Sequence, residues 1–446
     1  MSDSVHVPTP LQVEDDDADG LAPSRDSAPR GGSQLARLGV LAALVSRLAG
    51  RLIGVLFVLV LARTSSDATV AGYGYLLGTS TLILTISDLG VAAISGREVA
   101  NGRLPGPAAL ASAIPVQGLT IAAACAVMAV LVLVAKPQGV DTPSLLLTLL
   151  FMACNGMVNL WAEVLRGTGR VVAEATLQTI GPFLLVGAGM VVAINGGRTA
   201  DLLAVVAGKE FLILVASVLL LRPRRVPGLI HMRELISSSF TLSIASTAVV
   251  LMWRQGTIYT GARSSAAVVA AYIVATRFQD AGATLSSTIG FGLLPGAAAA
   301  KQSAEEEFRA LVQGYFRKCL GVGVLAGAIG VTFAHPITVL AFGERWSSAV
   351  PAVRLVAAAA PPIMVMYVMW TSLLVNRQER WLLKCAVVAA LLSVGATLVG
   401  SAAGSDLVWA AAGTTLGVYV LALGLYWRYR SLVRYAGRHA RGRLPR

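Results

Sequence analysis

The sequence has little of what soluble enzymes depend on. Charged residues make up only 13% of its 446 positions, and histidine occurs four times. The four cysteines are isolated within or beside apolar segments, with no CxxC spacing, so they predict neither disulfides nor a metal site. The sequence also lacks a paired nucleophile and base and a nucleotide-binding loop. We therefore expect no catalysis, no ATP hydrolysis and no cofactor.

Apolar residues are abundant instead. They make up 56% of the chain, whose mean hydropathy is +0.72, and this balance is typical of a polytopic membrane protein. The net charge of +13 could suggest nucleic acid, but the basic residues lie at the ends of apolar segments rather than in a patch interleaved with aromatics. We therefore interpret the charge as a signal of membrane topology and expect no nucleic-acid partner.

The first 34 residues differ from the rest of the chain. Prolines and an acidic cluster replace large apolar side chains there, which predicts a disordered tail. Twelve apolar segments of spanning length follow, and their continuous rather than alternating pattern predicts helices. We therefore predict an all-α polytopic membrane protein with spans at 36–62, 70–95, 107–135, 144–165, 172–195, 200–221, 235–261, 267–294, 315–341, 350–375, 381–401 and 406–427.

The charges of the connections predict the orientation. The even-numbered connections and both ends carry roughly 25 basic residues, whereas the odd-numbered connections carry about six. Cytoplasmic loops of membrane proteins hold the excess of arginine and lysine. Both termini are therefore predicted to be cytoplasmic, in a multi-pass protein of the inner or plasma membrane.

Two weak internal matches predict a repeat. ARTSSDATVAGYGY at 62–75 resembles ARSSAAVVAAY at 262–272, and WAEVLRGTGR at 161–170 resembles WTSLLVNRQER at 370–380. Both pairs are offset by about 200 residues, which predicts two parallel six-helix halves. Chance similarity in low-complexity apolar sequence is the alternative. The predicted organisation is a cytoplasmic tail, two six-helix bundles and a basic cytoplasmic tail, at 1–34, 35–228, 229–428 and 429–446.

Two arginines lie in the middle of the first predicted span. Arg47 and Arg51 are four residues apart, so both leave the same helix face at mid-bilayer depth. Each charge costs at least about 2.5 to 3.5 kcal/mol there on insertion scales. The pair must therefore face protein, water or an anion.

Other predicted spans also contain ionisable residues. Arg254 lies in the seventh span, Arg277 and Asp280 in the eighth, Asp88 in the second and Glu163 in the fourth. Two six-helix halves imply a central cleft that opens alternately to either side. If these residues line the cleft, its charge is positive on balance.

Four motifs resemble those of a known family. They are SDLGVAAISGREVA at 87–100, RGTGR at 166–170, YIVATRFQDAGATLSSTIGFGLLPGAAA at 272–299 and FGERWSSAVPAVRLVAAAAPP at 342–362. In this order, and at these spans, the chain resembles the lipid-linked oligosaccharide flippases of the polysaccharide transporter group. That group belongs with the lipid II flippases and the multidrug exporters of the MATE type.

The resemblance implies a MATE-like fold of two pseudo-symmetric bundles that exports a polyprenyl-pyrophosphate-linked glycan by alternating access, for polysaccharide or cell-envelope synthesis. Membrane lipids, a polysaccharide polymerase and glycosyltransferases are the implied partners. Arginine pairs bidentately with phosphate. We therefore expect Arg47 and Arg51 to bind the pyrophosphate from the first half, and Arg254 and Arg277 to bind it from the other half.

Alternatives remain at this stage. The arginines could pair with Asp88, Asp280 or Glu163 and simply hold helices together. The same three carboxylates are candidates for coupling or gating. A cation-coupled multidrug exporter is the alternative function within the fold, although a cleft with more arginines than carboxylates would repel cationic drugs. A non-transporting scaffold of a polysaccharide assembly complex is the third, and it would tolerate loss of the arginines.

Overall fold

The computed structural model describes residues 54, 56–223 and 232–441, and within these ranges it contains helices and no strands. Helix α1 comprises residues 56–64. The helices that follow are α2 (Asp67–Asp88), α3 (Val91–Ala100), α4 (Gly106–Ala135), α5 (Thr142–Gly167), α6 (Val171–Ile194), α7 (Thr199–Leu220), α8 (Met232–Arg263), α9 (Ala266–Ser303), α10 (Glu305–Thr332), α11 (Ala334–Phe342), a 3-10 helix (Glu344–Ala349), α12 (Val350–Ala358), α13 (Ala360–Val375), α14 (Glu379–Ser401) and α15 (Asp406–Arg441).

The all-α prediction is confirmed. Nine helical segments in the described ranges are long and apolar enough to cross a membrane, which fits a multi-pass membrane protein. The count of twelve stays a prediction, because most of the first span and the tail at 1–34 lie outside the described residues. Helix α15 continues to Arg441, so the chain is helical well past the predicted end of the last span at 427.

The second predicted span is broken into two helices. Leu89 and Gly90 both have positive φ angles, 45° and 78°, and they end α2 and begin α3. Glycine adopts this left-handed conformation without steric cost, whereas leucine does so rarely. The break separates α3 from α2, and α3 then lines one side of a cavity toward the arginine-rich end of the molecule.

Side-chain caps fix where some helices begin. The Ser66 side chain accepts a hydrogen bond from the Thr69 amide at the start of α2. At the start of α5, Asp141 Oδ1 accepts one from the Ser144 amide at 2.9 Å. The hydrogen bond from the Ser144 side chain holds the pKa of Asp141 below its usual value. Each cap satisfies a backbone donor that the first turn leaves free.

The buried apolar residues of the described ranges form three clusters. One combines residues from both sides of the chain's midpoint, for example Phe57 and Tyr73 with Tyr272 and Trp346. The second contains only residues between 245 and 429, and the third only residues between 91 and 221. Residues 56–223 and 232–441 are called the first and second bundles below. The two bundles therefore share a core in one region and have separate cores elsewhere.

Glycines bring the bundles together in the shared region. A Cβ atom on Gly74 of α2 would lie 2.2 Å from Ile273 Cδ1 of α9, and one on Gly78 would lie 3.1 Å from Thr257 Cγ2 of α8. From the second bundle, a Cβ atom on Gly261 would lie 2.1 Å from Tyr75 Cδ2. Helix backbones approach this closely only where side chains are absent. The contact between bundles is therefore a tight glycine seam.

Hydrogen bonds close the same region. Trp346 Nε1 donates to the Ala62 carbonyl at 2.9 Å, and Arg345 Nη2 donates to the carbonyls of Ser65, at 2.6 Å, and Ala62. In the other direction, Arg63 Nε donates to the Ala341 carbonyl at 2.8 Å. The Ala266 amide donates to Gln138 Oε1 at 2.9 Å. We call these contacts the latch, and the end that holds connections 63–66, 136–141 and 340–346 the closed end.

The other end is called the basic end, because it contains the arginine-rich connections. Gly106 lies against Thr168 and Leu221 there, and Arg97 borders the same cavity as Arg380. The bundles have separate apolar cores on this side. The molecule is thus joined at the closed end and divided by cavities toward the basic end.

Candidate functional site

Three charged side chains meet where the glycine seam ends. Arg254 of α8 and Arg277 of α9 both contact Asp280, with Arg254 Nη2 at 3.3 Å from Oδ1 and Arg277 Nη1 at 3.3 Å from Oδ2. Because one carboxylate faces two guanidiniums, the group carries one excess positive charge. We call it the arginine pair with Asp280.

The group lines a cavity of about 330 Å³ between the bundles. Thr81 of α2 and Thr284 of α9 add hydroxyls, and Phe57 and Tyr73 add aromatic walls. Arg254 lies about 14 Å along α8 from its end at Arg263, at about 1.5 Å per residue. That depth is near the middle of a hydrocarbon core of about 30 Å.

The arginine pair retains unused donors. Arg277 Nε is buried and has no hydrogen-bond partner among the described residues. A guanidinium has five N–H donors in a planar fork, and Asp280 satisfies only some of them. A multiply charged anion with several oxygens would match the remaining donors and the excess charge.

Asp88 and Glu163 lie elsewhere. They border a separate cavity of about 260 Å³ inside the first bundle, together with Gln117 and Asn155. Ala92 and Ala93 of α3 border the same cavity as Asp88, whose Oδ1 is buried and has no hydrogen-bond partner among the described residues. Glu163 pairs with Arg166 at 2.9 Å. Of the three predicted carboxylates, only Asp280 contacts Arg254 and Arg277 in the described part of the chain. Arg47 and Arg51 lie outside the described residues.

A third and larger cavity, of about 680 Å³, lies between the bundles at the basic end, and we call it the vestibule. Its hydroxyl groups belong to Thr85, Thr241, Ser243 and Ser246. Its charged groups belong to Asp88, Arg97, Glu379 and Arg380. Sequence reasoning missed the vestibule, although the run SFTLSIAS at 239–246 is unusually rich in hydroxyls for a membrane span.

Helices of spanning length, a glycine seam and a charged cavity at mid-depth define a multi-pass membrane protein with two bundles around a central cavity. The chain belongs to the polysaccharide biosynthesis protein family, Polysacc_synt, whose model matches residues 37–295. This match confirms the family resemblance read from the sequence motifs. No curated protein matches the chain.

Solved structures share the fold. The lipid II flippase MurJ in an inward closed conformation has a TM-score of 0.68 at 12% identity, covering 88% of this chain and 87% of that one. A multidrug resistance MATE family transporter of the MOP superfamily, inward-facing, has a TM-score of 0.63 at 12% identity, covering 88% and 99%. A mutant of the Vibrio cholerae MATE transporter VcmN has a TM-score of 0.63 at 18% identity, covering 90% and 98%. These likenesses confirm the MATE-like fold.

Proposed function

We propose that the protein is a flippase that moves a polyprenyl-pyrophosphate-linked oligosaccharide from the cytoplasmic to the outer leaflet of the inner or plasma membrane. The observation that carries the proposal is the arginine pair with Asp280, an excess positive charge in a cavity at mid-membrane depth. The glycan belongs to polysaccharide or cell-envelope synthesis, as the family suggests. The lipid tail stays in the bilayer while the headgroup passes through the cavity.

The division of the molecule supports alternating access. With the basic end cytoplasmic, as the loop charges predict, this conformation admits the headgroup from the cytoplasm and the latch blocks its exit. Opening the latch and closing the vestibule would then release the headgroup outside. The moving bodies in this proposal are the two six-helix halves predicted from the sequence, 35–228 and 229–428.

Arginine suits the diphosphate for a geometric reason. Its planar fork binds two phosphate oxygens at once, and its charge persists even when the side chain is desolvated. Asp280 holds both guanidiniums in place before substrate arrives, and the diphosphate then takes up their spare donors. Arg47 and Arg51 complete the site in this proposal.

The membrane potential can drive the transport. A diphosphate carries about two negative charges, and each gains about 2.3 kcal/mol per 100 mV on leaving a negative interior. Export would thus gain about 4.6 kcal/mol per 100 mV. This route needs no metal and no nucleotide.

Competition binding tests the proposal. Purified protein is offered undecaprenyl diphosphate and ethidium together, and bound species are counted by native mass spectrometry. The wild type should retain the lipid. A triple variant, Arg254→Gln with Arg277→Gln and Asp280→Asn, should bind it at least about a hundredfold more weakly, since charge-assisted hydrogen bonds contribute about 1.5–3 kcal/mol each.

The control is Arg317→Gln, which removes an exposed arginine of α10 that borders neither this cavity nor the vestibule. It should bind the lipid as the wild type does. Retention of ethidium without lipid, by wild type and triple variant alike, would instead identify a drug exporter. Undiminished lipid binding by a folded triple variant would mean that the arginines only hold helices together.

A further inference from the structure

The vestibule differs from the arginine cavity in both charge and size. Among the described residues that line it, two carboxylates and two guanidiniums balance, and four hydroxyl groups accompany them. Its volume, about 680 Å³, is roughly twice the 330 Å³ of the arginine cavity. A site without net charge has little attraction for a bare anion, whereas mixed donors and acceptors suit an uncharged polyhydroxylated group.

We propose that the vestibule is the glycan subsite, which binds the sugars next to the diphosphate while the diphosphate occupies the arginine cavity. The inference rests on the proposed function and adds the orientation of the substrate to it. The diphosphate lies deep in the membrane and the glycan extends toward the basic end.

Helix α2 connects the two cavities. Thr81 borders the arginine cavity, and Thr85, one helical turn later, borders the vestibule. The spacing along the axis is about 6 Å. Asp88 follows on the next turn and borders the vestibule as well. These three residues lie on one face of the helix, so a polar path leads from the arginines to the basic end.

Helix α8 provides a second polar face. Ser243 of the vestibule precedes Arg254 by three full turns and lies on the same side of the helix. The distance along the axis is about 17 Å. A headgroup with its diphosphate at Arg254 therefore places its first sugars between α2 and α8, within the vestibule.

The hydroxyls of the vestibule can accept hydrogen bonds from a sugar. Thr85 Oγ1 donates to the Thr81 carbonyl at 2.8 Å, which occupies its proton and leaves its lone pairs available. Carboxylates accept from sugar hydroxyls, and guanidiniums donate to them. Asp88 and Arg380 supply these complementary groups from opposite bundles. A sugar would thus bridge the bundles at the end where their apolar cores are separate.

Binding of matched lipids tests the subsite. The probes are the methyl ester of undecaprenyl diphosphate, called the bare lipid because it carries the same two charges as a sugar-linked lipid, and undecaprenyl diphosphate carrying a hexose, an N-acetylhexosamine or a deoxyhexose. The quantity is the ratio of the dissociation constants of bare and sugar-linked lipid, measured on the full chain. For the wild type we expect at least one sugar to tighten binding by about tenfold or more, as two or more hydrogen bonds would.

The test variant is Thr85→Val with Ser246→Ala. It should bring the ratio down by about threefold to tenfold for each hydrogen bond lost, with unchanged binding of the bare lipid. The control is Thr176→Val with Ser112→Ala. Both control hydroxyls also donate to a carbonyl four residues earlier, as Thr85 does, but they border neither cavity. The control should keep the wild-type ratio.

Three results would overturn the inference. Equal binding of bare and sugar-linked lipids by the wild type would leave the flippase proposal standing and remove the glycan subsite. Parallel weakening of both lipids in the test variant would make the vestibule hydroxyls structural. Failure of the wild type to bind any diphosphate lipid would contradict the proposed function itself, and the subsite with it.

Discussion

The two ends of the molecule are built differently. At the closed end the bundles share one apolar core, a glycine seam and the latch. At the basic end each bundle has its own core, and the vestibule lies between them. This difference indicates that the packing and hydrogen bonding between the bundles are concentrated at the closed end. The arginine pair with Asp280 lies at the boundary, where tight packing gives way to cavities.

The glycine seam offers the largest expected effect. Gly74→Val places new atoms within 2.2 Å of Ile273, and overpacking of this kind costs about 1–3 kcal/mol or more. We expect a clearly lower Tm in detergent. Ile273→Ala in the same chain should recover part of the loss by making room for the valine.

Gly292 provides the contrast on the basic side. A Cβ atom added at Gly292 of α9 would have no neighbour within 4 Å in the part of the chain that the structure describes. Gly292→Ala should therefore leave the Tm unchanged or raise it slightly, since alanine is the better helix former by about 1 kcal/mol. Equal losses of Tm in Gly74→Ala and Gly292→Ala would show that packing is no tighter at the glycine seam than on the basic side.

The latch should affect the balance between conformations. Trp346→Phe keeps an aromatic ring and removes the indole N–H that donates to the Ala62 carbonyl. Arg345→Gln removes the guanidinium that donates to the carbonyls of Ala62 and Ser65. Each hydrogen bond contributes about 1 kcal/mol, or about a fivefold change in population. The double variant should open at the closed end in a larger fraction of molecules.

Distances between spin labels measure that fraction. Labels at Asp67 and Glu344 report on the closed end, and labels at Asn101 and Arg377 report on the basic end. We expect the first distance to lengthen as the second shortens in the double variant. Unaltered distance distributions at both ends would mean that the latch does not hold the bundles together.

The cap of α5 has the smallest expected effect. Asp141→Ala removes the hydrogen bond to the Ser144 amide and should cost about 1 kcal/mol. Because hydrogen bonding to Ser144 lowers the pKa of Asp141 in the folded state, its contribution is present above the unfolded pKa and declines as the pH falls through the folded value. The Tm values of wild type and variant should therefore become equal at acid pH. A constant difference in Tm at all pH values would contradict this.

The length of the apolar segments predicts much of the fold. Each of the second to twelfth predicted spans falls on helices of the described chain, because a run of apolar residues long enough to cross a bilayer has few other structures available. The limits are less accurate, since α9, α10 and α15 extend well beyond the predicted ends. The break at Leu89 and Gly90 was missed, since a single glycine in an apolar run is usually tolerated within a helix. The seam was missed because contact between Gly74 and Ile273 joins residues far apart in the sequence.

The site could be predicted only in part. Charges inside spans identified Arg254, Arg277 and Asp280, and pairing of the arginines with Asp280 was one of the alternatives. That Arg254 joins the same carboxylate depends on how α8 packs against α9. The roles of all the predicted site residues stay predictions. The vestibule hydroxyls were missed although the run SFTLSIAS at 239–246 is rich in them, because serine and threonine in membrane helices commonly bond to their own backbone.

Flipping by reconstituted protein tests the central claim most directly. Vesicles receive undecaprenyl diphosphate with a fluorescent sugar headgroup in one leaflet, and its appearance in the other leaflet is followed by quenching. The wild type should move the lipid, and the variant Arg254→Gln, Arg277→Gln, Asp280→Asn should not, although its melting and its closed-end distances match the wild type. Transport at the wild-type rate by that folded variant would contradict the account, because the charge at mid-membrane would then have no part in moving the substrate.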